Sequence, residues 1–271
     1  MSPARRDVLL ALGGTVVGAA ASLGTDREVQ TVESRSPLPF YGTAVSAVRP
    51  DRSRPRAGQG VVVWSGSRTP GDRRVALTFD DGPDPDWTPR VLASLARYDA
   101  PATFFVRGDH LRAHPGVHAR SLDAGHELAN HTWDHPDLGR LPLAQVQDQL
   151  ARTSAELTRV TGRAPVLFRP PYGHLGGSTL LAAAETGLTC VLWSTQMHED
   201  AWVGHPDRVV PGARELVAAG DVVLAHDSGS PDRLTTIDHL DGILAALRAD
   251  GHDLVTVTDL LVERPVSHVT R

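Results

Sequence analysis

The 271-residue sequence has a single cysteine, Cys190, which excludes an intramolecular disulfide, a cysteine-built zinc knot and an iron–sulfur cluster. Lysine is absent, all 27 basic residues being arginine. That removes the lysine of a phosphate-binding loop and any Schiff-base chemistry. With one Asn and only two Ile, the skew reads as codon bias rather than as a nucleic-acid signature. No apolar run reaches the ~20 residues of a membrane-spanning helix, and no segment repeats as it would in a solenoid.

The 41% hydrophobic and 22% charged fractions are those of an ordinary globular protein and exclude a fully disordered or fibrous chain. A domain of about 200 residues buries roughly 70% of its unfolded surface, so no disulfide is needed to hold a core. Charge is uneven. Residues 1–21 carry +1 and residues 22–74 set nine Arg against five acids; with a total of −5, residues 75–271 hold −10. Such an acidic body repels phosphate, so nucleic acid is not an expected partner, whereas small neutral or cationic substrates are.

Arg5 and Arg6 precede an apolar run from Val8 to Ala21, which ends in three small residues, Ala19, Ala20 and Ala21. Residues 1–21 read as an export signal too short to span a bilayer. The arginine pair before Asp7-Val8-Leu9 resembles a twin-arginine signal. The expectation is a secreted or cell-envelope protein that touches membrane only through an uncleaved signal. Residues 22–70 collect Pro37, Pro39, Pro50 and Pro55 with Arg49, Arg52, Arg54 and Arg56, an extended, solvated tether. Residues 71–265 form one domain and 266–271 a tail.

Within that domain short apolar runs alternate with helical periodicity. Strands are expected at Val75–Phe79, Thr103–Val106, Glu127–Asn130, Val166–Phe168, Leu188–Trp193, Val222–Ala225 and Leu254–Val257. Helices are expected from a Thr88 cap through Tyr98, near 116–124, through 143–160, and near 178–186, 207–219 and 236–249. Seven βα-type units predict a parallel sheet. Polar residues follow several different strand ends: Asp80 and Asp81, His131, Arg169, Gln196 and His226. A barrel converges all its strand ends on one mouth, whereas an open sheet offers mainly one switch point, so the pattern favours a deformed (β/α)7–8 barrel.

Adjacent carboxylates at Asp80 and Asp81 sit beside two imidazoles four residues apart, His131 and His135. Two His and one carboxylate can hold a divalent ion with positions left for water and substrate. A second carboxylate next door can then accept a proton from that water. Cys190, in an apolar run, reads as a small core hydrophobe and His126 as structural; His114, His118, His205, His239 and His252 form no constellation.

From about Arg74 to Leu261 the chain resembles the polysaccharide deacetylase family, the NodB homology domain of carbohydrate esterase family 4. Four segments in the family's order carry the resemblance: Thr78-Phe-Asp-Asp-Gly-Pro83, His131-Thr-Trp-Asp-His135, Arg169-Pro-Pro-Tyr-Gly173 and Leu224-Ala-His226. The resemblance implies a deformed barrel that removes acetyl groups from N-acetylated sugars with one divalent ion, usually zinc or cobalt. It implies Asp81, His131 and His135 as metal ligands, Asp80 as general base and Arg169 as its orienting group. It also implies Tyr172 as backbone donor to the oxyanion and His226 as the acid that protonates the departing amine, with Leu224, Trp202 and Pro171 lining the acetyl pocket.

A fifth family segment departs from the pattern. Where an Asp that tethers the arginine is expected, the sequence has Gln196, and Ala201 separates Asp200 from Trp202. Gln196 can still accept a hydrogen bond, without a charge; His198, Glu199 or Asp200 are the other residues able to reach the mouth. The resulting expectation is a monomeric, exported N-deacetylase of β-linked aminosugars in peptidoglycan or chitooligosaccharide. An O-acetyl xylan esterase and a weakly catalytic wall-binding homologue are the alternatives. A His–His–Asp iron oxygenase is disfavoured by the βα alternation.

Overall fold

The computed structural model describes residues 60–262; the export signal, most of the tether and the tail lie outside the described residues. Strand β2 (Arg74–Asp80) is buried along its whole length, as expected of a parallel strand covered on both faces. It pairs with β3 (Thr103–Val106) on one side and β8 (Val222–His226) on the other, and its first residues also pair with β9 (Asp253–Leu254). Beyond β3 follow β4 (Glu127–Asn130), β5 (Leu167–Phe168), β6 (Thr189–Val191) and β1 (Val62–Val63); beyond β8 lies β7 (Thr195–Gln196). Every ladder is parallel.

Side chains alternate across a strand, and here the alternation sorts two kinds of core. One cluster takes a single residue from each of seven strands: Val63, Ala76, Phe105, Ala129, Leu167, Val191 and Val222. These fill the inside of a curled half-barrel, joined by Val257 and Leu260 of a C-terminal helix (Val257–Leu261). The intervening residues, including Val75, Leu77, Phe79, Phe104, Val106 and Val223, pack outward against the helices. This is the deformed barrel expected. No ladder joins β7 to β1 among the described residues; a lone antiparallel bridge, Ser65 to Asp221, links their neighbouring segments.

The same period of two carries inward-facing residues to the strand ends. Asp80 follows Ala76 at four residues, His131 follows Ala129, Arg169 follows Leu167 and His226 follows Val222, so all four reach the C-terminal mouth. That end is where barrels of this class place their chemistry.

Several local expectations need correction. Val62–Val63, assigned to the tether, forms β1 and pairs with Cys190 and Val191. Residues 116–124, expected as a helix, form turns after a short helix, Gly108–Ala113, because Pro115, Gly116 and Gly125 interrupt the later segment. Thr88 lies inside the helix Trp87–Arg97, not at its cap. The expected helix 236–249 is two, Leu234–Asp238 and Leu240–Ala249, meeting at His239. The last strand stops at Leu254, and Thr256 caps the helix that Val257 opens.

Two histidines pack on Phe104 from outside the sheet, with ring centroids 4.9 Å away for His118 and 5.6 Å for His126. The Nδ1 of His126 accepts from the Ala102 N–H, and His118 Nδ1 pairs with Ser121 Oγ. Burial, reinforced by His126, pushes His118 down to about 3. A folded-state pKa below the unfolded value makes the native state the poorer proton binder. The stability this group contributes is therefore present above about pH 6.5 and is lost as pH falls toward 3. His118→Gln is expected to flatten the acid-side fall in unfolding free energy by up to about 1.4 kcal/mol per pH unit. Urea titrations between pH 6.5 and 4 measure this; an unchanged slope contradicts it.

Candidate active site

At the end of β2 the backbone turns sharply, and Asp81 takes a left-handed φ of 74°. That turn lets two consecutive carboxylates face the same side, as neighbours on a continuing strand cannot. Asp80 Oδ2 and Asp81 Oδ1 lie 3.7 and 3.5 Å from His131 Nε2. The turn is held from beneath by buried Asp227, which accepts from Gly82 N–H at 3.1 Å and from the Thr88 hydroxyl at 2.6 Å. A Cβ at residue 82 would sit 2.3 Å from the Asp227 carboxylate, so glycine is required there. Burial raises the Asp227 pKa to about 7, with repulsion from Asp81 and Asp80 adding to it against the Thr88 hydrogen bond.

His131 and His135 come together on a tight loop after β4, in which Thr132 and His135 have φ of 66° and 63°. The ring of His131 is fixed by its Nδ1, which donates to the Arg169 carbonyl at 2.8 Å and leaves Nε2 for the mouth. The Thr132 hydroxyl accepts from His135 N–H. Sequence reading missed the clamp around this loop. Gln149, on the helix Leu143–Thr161, accepts from the N–H groups of Trp133 and Asp134 and donates to the Asp134 carboxylate. Trp133 lies against the guanidinium groups of Arg112 and Arg152, 4.6 and 4.2 Å from its ring.

Asp81, His131 and His135 bring one ligand atom each within 4.8 Å of one another. Asp81 Oδ1 lies 3.2 Å from His135 Nε2 and is buried with no hydrogen-bond partner. An orphaned buried carboxylate oxygen facing two imidazole nitrogens fits a divalent ion of the zinc or cobalt type. Burial and the proximity of His131 lower His135 to about 4, which keeps it in the neutral, ligating form at neutral pH. For Asp81, burial alone would raise the pKa, but the nearby His131 imidazole outweighs it and holds the group well below the usual carboxylate range.

Arg169 is fully buried and every arm of its guanidinium is engaged. Nη1 donates to Asp80 Oδ1 at 2.6 Å and to Thr78 Oγ1 at 2.8 Å, Nε to the Val191 carbonyl and Nη2 to the Leu192 carbonyl. Its ring partner is Phe105, 4.0 Å away. Gln196 is not among these partners, so the expectation that it tethers Arg169 is corrected: two backbone carbonyls and a threonine do so. Gln196 lies in β7, paired with Leu224.

The carboxylate that does enter the mouth is Glu199, and it serves His226 instead. Glu199 Oε2 accepts from His226 Nδ1 at 2.8 Å, with Glu199 itself buried. Asp200, expected behind the site, is exposed, and its side chain makes no hydrogen bond or ion pair among the described residues. Trp202 is buried against Gly212 and belongs to the outer core. Leu224 is buried two residues before His226, opposite Thr78, and Pro171 is buried in the turn Pro171–Gly173. Tyr172, 56% exposed, has φ 61° and sets its ring 4.7 Å from that of His135. Its N–H donates to no acceptor among the described residues.

The profile of the family described as Polysaccharide deacetylase matches residues 67–191. A chitooligosaccharide deacetylase of Bradyrhizobium sp. (strain ANU 289) is 36% identical over 195 residues, covering 68% of this chain and 89% of the relative. The peptidoglycan-N-acetylglucosamine deacetylase PgdA of Listeria monocytogenes is 35% identical over 196 residues, covering 71% of this chain; the chain spans only 40% of that relative's length. The crystal structure of the Bc1960 peptidoglycan N-acetylglucosamine deacetylase is similar with a TM-score of 0.69 and 31% identity, over 74% of this chain and 92% of that one. The chain belongs to the polysaccharide deacetylase family.

Removing the guanidinium leaves Asp80 buried without its cation, a loss of about 3–5 kcal/mol for a broken buried pair. Arg169→Met is expected to lower the unfolding free energy by that order in urea titrations at pH 7. A loss below about 1 kcal/mol, the scale of an exposed pair, would contradict the buried-pair account.

Proposed function

We propose that this chain is an exported, metal-dependent deacetylase that hydrolyses the N-acetyl group of β-linked aminosugars, with peptidoglycan as the favoured polymer and chitooligosaccharide next, releasing acetate. The observation that carries this reading is the division of labour between two adjacent carboxylates. Asp80 is tied to Arg169 through Oδ1, while Asp81 presents an unpartnered Oδ1 to His131 and His135. The names of the similar proteins support an aminosugar substrate, and the arginine pair with its apolar run supports export.

Asp81, His131 and His135 would hold the ion, which supplies Lewis-acid polarisation of the amide carbonyl and acidifies a water. Asp80 accepts the proton of the attacking water, and Arg169 holds that carboxylate in place through Oδ1. The Tyr172 N–H, already without a protein acceptor, donates to the oxyanion that develops on the carbonyl oxygen. His226 delivers a proton to the departing amine. Because Glu199 accepts from Nδ1, the transferable proton is on Nε2, and the carboxylate fixes the orientation of the ring. The walls of the acetyl pocket in this reading are Leu224 and Pro171.

Chelator treatment is expected to abolish acetate release, and zinc or cobalt to restore it; full activity in metal-free protein would overturn the reading. Asp80→Asn is expected to retain about one ion per chain while losing most activity, whereas Asp81→Ala loses the ion. Glu199→Gln is expected to lower kcat by 10²-fold or more, the scale of general acid–base catalysis, with metal content unchanged. Acetate release measured side by side on peptidoglycan, chitooligosaccharide and acetylated xylan tests the substrate, and preference for xylan would replace the N-deacetylase by an O-acetyl esterase. Since Gln196 does not touch Arg169, Gln196→Asp should leave the acidic limb of the pH profile unmoved.

A further inference from the structure

The second oxygen of the Asp81 carboxylate has a partner that neither the sequence motifs nor the mechanism above uses. Arg233, in the turn Pro231–Arg233 that follows β8, donates from Nη1 to Asp81 Oδ2 at 2.6 Å and to the Ser228 carbonyl at 2.7 Å. The backbone makes room for it: Gly229 has φ 113°, and a Cβ there would lie 2.3 Å from Arg233 Nη1. The Arg233 side chain is 23% exposed, so it reaches the mouth from the surface rather than from the core.

We propose that Arg233 is a positioning residue that fixes Asp81 as a one-oxygen ligand. This rests on the assignment of Asp81, His131 and His135 to a divalent ion. A free carboxylate can turn and offer both oxygens to a cation. Here a charge-assisted hydrogen bond occupies Oδ2, and the Ser228 carbonyl fixes the guanidinium that makes it. Only Oδ1, buried and unpartnered, is left for the ion. Outer groups that hydrogen-bond a ligating side chain set its orientation in this way. The arrangement keeps coordination positions open for water and substrate, as a catalytic rather than a structural site requires.

The test uses the full-length protein loaded with cobalt(II), read by its visible d–d absorption, which weakens as coordination number rises. Arg233→Met, which keeps an aliphatic stem and removes the donor, is expected to show a weaker band than the wild type because Asp81 then supplies a second oxygen. Metal-free thermal melts establish that the variant is folded, and Arg233→Gln takes its place if the Met variant does not melt cooperatively. A folded variant that no longer takes up cobalt also supports the proposal, since the carboxylate then needs the guanidinium to face the ion at all. A band unchanged or stronger in the folded variant overturns it while the metal reading stands. Failure of the wild type itself to bind cobalt overturns the metal reading and this inference together.

Discussion

A guanidinium buried beneath a parallel-barrel mouth is the constraint on which the site depends. Arg169 has no contact with solvent, so its charge is tolerable only because Asp80 balances it and oxygen atoms meet its remaining N–H groups. The two carbonyls come from Val191 and Leu192, at the end of β6, and Thr78 comes from β2, where its hydroxyl also donates to the Val223 carbonyl of β8. The carbonyl of Arg169 itself orients His131. One residue thus joins β2, β5, β6 and the histidine loop, and the Asp80 carboxylate cannot be moved without disturbing the His131 imidazole.

Charge is arranged in layers around that pair. Asp80 and Asp81 are flanked by Arg169 below and Arg233 above, while Asp227 lies beneath the turn with its pKa raised by burial. Each of the two working carboxylates therefore has one oxygen held by an arginine and one oxygen facing the mouth. His226 repeats the principle with opposite sign, its Nδ1 held by Glu199. Asp80, Asp81, His131 and His226 are each anchored at one atom and open at another, which is how a site keeps geometry without moving parts.

The sequence made legible what depends on local periodicity. Asp80, His131, Arg169 and His226 each continue the inward face of a short apolar strand, so their convergence follows from a period of two once the sheet is parallel. The misreadings have a common physical origin in partners that leave no local trace. Carbonyl oxygens at 191 and 192 carry no residue signature, and so Gln196 was given their task. Glu199 is plain as a carboxylate, but its choice of His226 over Arg169 depends on the direction of a four-residue helix, Glu199–Trp202. Arg233 and Gln149 meet their partners across long stretches of chain, where spacing says nothing. The helix expected near 116–124 failed for a different reason: a few apolar residues with roughly helical spacing could not outweigh Pro115 and the glycines around it.

Of the five non-glycine residues with left-handed φ among the described residues, four belong to the site: Asp81, Thr132, His135 and Tyr172. An L-residue in that region costs about 1–2 kcal/mol, so the mouth is the place where the fold is locally least comfortable. Glycine would relieve the backbone at each position. It would also delete the carboxylate at Asp81, the imidazole at His135, the hydroxyl that receives the His135 N–H at Thr132, or the ring that lies beside His135 at Tyr172. Natural variation and laboratory selection for thermal tolerance therefore meet a conflict here: the substitutions that most readily steady the backbone are the ones that dismantle the chemistry.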